Sequence, residues 1–150
     1  MEQIYSHPKR KTKVVFVQLG SPSEPTTKAL RKYLRKFLGD PRVVDINPWL
    51  WKIILNCFVL PFRPKKSAKL YARIWDGKSF PLITNTRDFT NNVREELKKI
   101  DPDGHVEVNH AFLLSSPYVN EVYDSWEDDL KKGIGATKLL VIPMFPQYSE

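Results

Sequence analysis

The chain has 150 residues, of which 41% are apolar, 27% charged and 12% aromatic, a composition that fits one globular domain with a buried core. One cysteine, Cys57, excludes an internal disulfide and fits a reducing compartment. Met1–Lys13 carries no apolar core of a signal peptide, and the longest greasy run, Trp49–Leu60, is broken by Lys52 and Asn56 and is too short to span a bilayer. The net charge of +7 is uneven: residues 1–75 hold sixteen Lys/Arg against four Asp/Glu, whereas residues 76–150 hold eight against thirteen, so an anionic partner is expected at the first half.

In chain order, residues 1–12 read as a flexible tail. Lys13–Leu19 is β-branched and apolar, which predicts a strand buried on both faces and hence parallel. A loop at Gly20–Pro25 leads to Thr26 or Thr27 as the cap of a helix over Lys28–Leu38. Leu30, Tyr33, Leu34, Phe37 and Leu38 form its apolar face and Lys28, Arg31, Lys32, Arg35 and Lys36 the opposite one. Gly39 and Pro41 end it. Arg42–Ile46 reads as a short strand. Residues 47–60 have no clean polar face, so a helix there must be buried or covered from outside. Within that run Cys57 reads as a small buried hydrophobe. Arg63, between Phe62 and Pro64, is expected on extended chain, where its guanidinium can meet a carboxylate bidentately.

Helical spacing returns over Ser67–Trp75 and again over Leu82–Ile100, with a turn at Asp76–Pro81 between them. His105–Leu114 predicts a second strand. Ser115-Ser116-Pro117 predicts the cap of a helix that starts at Pro117 and runs to about Lys132, with Glu121, Asp124, Glu127, Asp128 and Asp129 outward. Thr137–Ile142 predicts a third buried strand, and residues 144–150 a loop. Strands alternating with helices give an α/β class with a mostly parallel sheet, whose ligands bind off the carboxyl ends of the strands.

No glycine-rich dinucleotide fingerprint or P-loop is present, His7, His105 and His110 have no partner at metal-ligand spacing, and no nucleophile–histidine set can be assembled. An apolar lip beside clustered cations and aromatics (Arg63–Trp75) suits a flat apolar ligand with anionic arms, or an anionic membrane surface. Tyr71 offers a ring face and a hydroxyl, with helix packing as its other reading. No nucleic-acid motif is present, and nucleic acid ranks last among partners.

Several blocks occur in order: Val-Gln-Leu-Gly-Ser-Pro at 17–22, Arg-Lys-Tyr-Leu-Arg-Lys-Phe-Leu-Gly-Asp-Pro-Arg-Val-Val-Asp at 31–45, Arg-Pro-Lys-Lys-Ser-Ala-Lys-Leu-Tyr-Ala-Arg-Ile-Trp at 63–75, Ser79 with Pro81-Leu82, and Pro-Met-Phe-Pro-Gln-Tyr-Ser at 143–149. Over residues 13–149 the chain thereby resembles the N-terminal half of the ferrochelatases, which insert ferrous iron into a porphyrin. The resemblance implies a Rossmann-like, chelatase-type domain, residues 13–150, one of two similar α/β domains flanking a porphyrin cleft. It implies that Leu19, Phe37, Arg63, Tyr71 and Ser79 contact the porphyrin, the last three at its propionates. Residues 48–62 become a hydrophobic lip carrying Trp49, Leu50, Trp51, Ile54 and Phe58.

The substrates implied are Fe2+ and a porphyrin, protoporphyrin IX or coproporphyrin III, with the apolar lip leaning to the less charged protoporphyrin, and no cofactor or metal site is expected within this chain. The catalytic His and Glu of the family are expected beyond Glu150, in a missing second half that is the chain's first partner. The cytoplasm is the implied location, with the inner-membrane surface as a resting place for the lip. Leu113-Leu114 stands where the family usually has Arg-Tyr, so one polar contact of the cleft is missing or supplied elsewhere.

Overall fold

The computed structural model describes residues 11–145, so the tail expected over 1–12 lies outside them except for Lys11 and Thr12. The chain forms two compact units. One is Gly20–Thr84; the other joins the segment ending at Leu19 to the one beginning at Asn85.

The sheet unit contains β1 (Thr12–Gln18), β2 (Val106–Phe112) and β3 (Lys138–Pro143) in the order β2-β1-β3, with both pairings parallel. The central strand matches its sequence: Val15, Phe16 and Val17 are buried. Val15, Val17 and Ala111 make the core of one sheet face, with Val119, Val122 and Leu139 packed around them. On the other face the rings of Phe16 and Phe89 meet edge to face at 5.0 Å. Helix α4 (Pro81–Ile100) begins in the other unit and supplies Phe89; α5 (Val119–Lys131) supplies Val119 and Val122.

The helical unit contains α1 (Thr27–Leu38), α2 (Pro48–Ile54) and α3 (Leu60–Tyr71). A π-helical turn, Leu55–Val59, joins α2 to α3, and a 3-10 turn, Ala72–Ile74, follows α3. Thr26 caps α1 by accepting the Ala29 amide at 3.2 Å, as expected, and Asn47 caps α2 by accepting those of Trp49 and Leu50. The wide π turn precedes Pro61, whose ring an ordinary α turn drives against the carbonyl four residues back. Pro64 cannot bond the Leu60 carbonyl, and Arg31 of α1 takes its place: its Nε donates to that oxygen at 3.3 Å. Leu30, Tyr33, Leu34 and Leu38 of α1 are buried in this unit together with Leu55, Leu60, Pro64 and Ala68.

Five sequence expectations are corrected. Arg42–Ile46 is not a strand but a turn at 41–43 followed by irregular chain, because the Asp40 carboxylate accepts the Arg42 amide at 2.9 Å and pairs with its guanidinium, a local closure that competes with strand pairing. Arg63 is helical, since the π turn lets α3 run through both prolines. Cys57 is exposed on that turn. The helix expected from Pro117 starts at Val119: the Pro117 carbonyl instead accepts the Phe112 amide at 2.8 Å, and Glu121 caps the Tyr118 amide at 2.7 Å. The third strand is not buried, because β3 is an edge strand with Leu140 and Val141 about half exposed.

Candidate functional site

In the helical unit the aromatic side chains form a connected cluster. Tyr33 stacks beside Phe37 with ring centroids 6.2 Å apart and meets Tyr71 at 6.5 Å. Tyr71 meets Phe80 edge to face at 5.5 Å, and Trp75 meets the same ring at 4.6 Å. Phe80 is 2% exposed and anchors the group. Of the residues expected at the porphyrin, Phe37 and Tyr71 therefore flank one ring, that of Tyr33, and Ser79 immediately precedes the anchor. Ser79 is fixed by the Asp76 turn, whose Oδ1 accepts the amides of Ser79 and Lys78. Those backbone donors, Ser79 first and Lys78 second, hold the Asp76 carboxyl below the usual range.

Tyr33 donates its hydroxyl to the Gly20 carbonyl at 3.3 Å. Burial, and then the neighbouring Tyr71, raise its pKa from 10.0 to about 12, so the phenol stays neutral. Tyr33, Trp75 and Phe80 were not among the expected site residues. The signal for Tyr33 and Trp75 was an aromatic spacing of four, to Phe37 and from Tyr71, which reads equally well as core; Phe80 had none.

The lip residues are not sealed in the interior. Trp49 is 76% exposed and Phe58 65%; Leu50 and Ile53 are exposed beside them, and Phe62 continues the patch into α3. Trp51 and Ile54 are half-buried. The Trp51 indole donates to the Leu38 carbonyl at 2.6 Å, pinning α2 to the end of α1. Lys52 Nζ lies 5.9 Å from the Trp49 ring, a cation–π distance. Arg63 is exposed on α3, eight residues before Tyr71 and so about 12 Å along the axis. Lys65, Lys66 and Lys69 are exposed on the same helix, and residues 20–84 contain thirteen Lys/Arg against four Asp/Glu.

Leu19 belongs to the sheet unit, directly after β1. Its carbonyl accepts the Leu114 amide at 3.0 Å, and the Gln18 carbonyl accepts that of Leu113 at the same distance. Leucines therefore line the carboxyl end of β1 and β2, where an α/β sheet binds its ligands. No cluster of His, Cys, Asp and Glu suited to a metal ion occurs among the described residues. No helix among them is long and apolar enough to cross a membrane.

A parallel sheet flanked by helices places the chain among α/β proteins, in a form consistent with one chelatase domain. Comparison with known proteins narrows this. The ferrochelatase family model matches residues 11–150. Proteins named ferrochelatase are similar throughout: that of Teredinibacter turnerae is 42% identical over 148 residues, 98% of this chain and 39% of its own length. That of Idiomarina loihiensis is 41% identical over 136 residues, 91% of this chain and 36% of its own. That of Psychrobacter cryohalolentis is 43% identical over 140 residues, again 91% of this chain and 38% of its own. The chain belongs to the ferrochelatase family, and it spans about two-fifths of the length of these relatives.

Proposed function

We propose that this chain supplies porphyrin contacts to a ferrochelatase that inserts Fe2+ into protoporphyrin IX, the last step in making haem, and that it has no turnover alone. The observation that carries this reading is the continuous helical segment α2–α3. It begins with exposed Trp49, Leu50 and Phe58 and runs on through a basic stretch opened by Arg63. Apolar rings suit the face of a tetrapyrrole, and a guanidinium suits a propionate. Carboxylate contacts remote from the pyrrole nitrogens provide binding energy that a full enzyme can direct into distorting the ring. Proton removal and metal delivery are assigned to no residue of this chain; the family's His and Glu for those steps are expected outside it.

Absorbance titration with protoporphyrin IX and with its dimethyl ester tests the reading. Binding of the free acid should weaken about tenfold in Arg63→Ala, the order of one charged hydrogen bond, while the ester should respond little. Equal response of the two ligands, or no binding of either, overturns it.

The exposed lip on a basic unit favours a second reading, docking on an anionic membrane. Its mark is vesicle binding that grows with anionic lipid, falls with salt and is indifferent to porphyrin. A purely porphyrin-carrying module is distinguished by a longer natural protein that binds the ligand and inserts no iron.

A further inference from the structure

The outer edge of β2 is capped in part by the chain itself. Its even-numbered residues turn their backbone groups away from β1. The Val106 amide donates to the Asp101 carboxylate at 2.7 Å, and the Val108 carbonyl accepts from Arg94 Nε at 2.7 Å. Between these two caps lie the Val106 carbonyl and the Val108 amide. In a parallel ladder both backbone groups of one residue face the same side, so these two face outward as well, and no described residue pairs with either. Val108 is only 3% exposed, and a buried amide without a partner is rare in folded proteins.

Val106 and Val108 line a groove of about 320 Å³ together with Arg94, Leu97 and Lys98 of α4. The carboxylates of this groove are already engaged: Asp101 with the Val106 amide and His105, Glu107 with the Asn109 side chain at 2.7 Å and Lys13 at 3.5 Å. Arg94 gives three of its five N–H groups to Val108, Asn91 and Asn109 and keeps two. The uncommitted charge is therefore positive. The open backbone groups also fix a direction. An antiparallel neighbour exchanges both bonds with one residue, and Val106 and Val108 each have one group capped. A parallel neighbour takes the carbonyl of one residue and the amide of the next but one, which is the pair left open. Such a neighbour runs from Val106 toward Val108, so its carboxyl end arrives at Arg94.

We infer that this groove captures the C-terminal residue of an extended peptide, the free carboxyl tail of a partner protein, in parallel register opposite Glu107. The N–H of the last residue donates to the Val106 carbonyl. One oxygen of its carboxylate accepts the Val108 amide, and the other meets the N–H groups that Arg94 keeps. The residue before the last stands opposite Val106, on the sheet face that α4 covers, where Val106 and Leu97 offer apolar surface to its side chain. A longer strand is not the occupant. Its next amide needs the Val108 carbonyl, which Arg94 already holds. The inference goes beyond the porphyrin reading and uses none of its residues.

The test titrates the full 150-residue chain with the peptide acetyl-Gly-Ala-Leu-Ala, its carboxyl terminus free, and follows backbone amides by NMR. The Val108 amide proton should move downfield and saturate with the peptide. Capping the peptide as its C-terminal amide should weaken binding about tenfold, the order of one charged hydrogen bond. Methylating the nitrogen of the last alanine, which removes the donor to Val106, should weaken it several-fold. Arg94→Gln should bring the free acid down to the affinity of the capped form and leave the capped form unchanged. Absence of saturation at millimolar peptide, equal binding of acid and capped forms, or shifts centred away from residues 106–109 each overturns the inference. If Arg94→Gln does not fold, the contrast between acid and capped peptide on the unsubstituted chain decides by itself.

Discussion

Tyr33 joins the aromatic cluster to the first loop of its unit through one hydroxyl, and its ionisation is displaced as a result. Its pKa is raised on folding, so its contribution is complete below the unfolded value of 10.0 and is lost as pH climbs toward about 12. The urea midpoint should therefore fall between pH 10 and 12, and Tyr33→Phe should flatten that fall. His110 acts in the opposite sense. Burial first, then the charges of Arg94 and Arg87, hold its pKa below the ordinary 6.5, and its Nδ1 is buried with no recorded hydrogen-bond partner. Its contribution is present above 6.5 and is lost as pH falls through the depressed value, because the unfolded chain then binds the proton more readily. His110→Gln should remove that acid-side slope from the same measurement. Phe80, the ring shared by Tyr71 and Trp75, should cost about 3–5 kcal/mol as Phe80→Ala in chemical denaturation.

At the scale of elements, the exposed and buried sides of the α2–α3 helix separate stability from function. Trp49→Ser and Phe58→Ser, both on the exposed side, should change stability by no more than about 0.5 kcal/mol while lowering affinity for porphyrin or vesicles. Arg31→Ala strips the Leu60 carbonyl of the donor that replaces Pro64's missing amide and should cost about 1 kcal/mol in thermal or urea unfolding. The sequence announced these elements unevenly. Thr26, the apolar face of α1 and the run Val14–Val17 were legible because period and capping chemistry agreed. Arg63 was misread as extended because two prolines close together usually break a helix, and only a widened turn, which no residue pattern advertises, lets this one continue. The exposure of β3 was equally hidden: a run of five apolar residues reads as a central strand, and nothing in its composition marks it as the edge of the sheet.

For the whole molecule, family membership is carried by the match over residues 11–150, and porphyrin handling is the reading that its surface supports. Phe37, Tyr71 and Ser79 were legible as site candidates through their resemblance, and the structure links the first two through Tyr33 and sets Ser79 next to Phe80. Tyr33, Trp75 and Phe80 were not, since an aromatic residue at helical spacing looks the same whether it supports a ligand or a core. An anaerobic assay of the 150-residue chain with Fe2+ and protoporphyrin IX should show binding without insertion. Iron uptake at rates above the spontaneous reaction defeats the claim that the chemistry lies elsewhere.

The π turn at Leu55–Val59 also works as a phase setter. An α-helix advances about 100° per residue, so the single extra residue of a wide turn decides which way everything after it points. Excising Asn56 should swing the downstream helix by about that angle. Arg31 would then lose the Leu60 oxygen, and Arg63 would be aimed a quarter-turn away from where it now points. Evolution can thus re-aim the cationic half of this segment against the greasy half by inserting or losing one amino acid, without altering the identity of either.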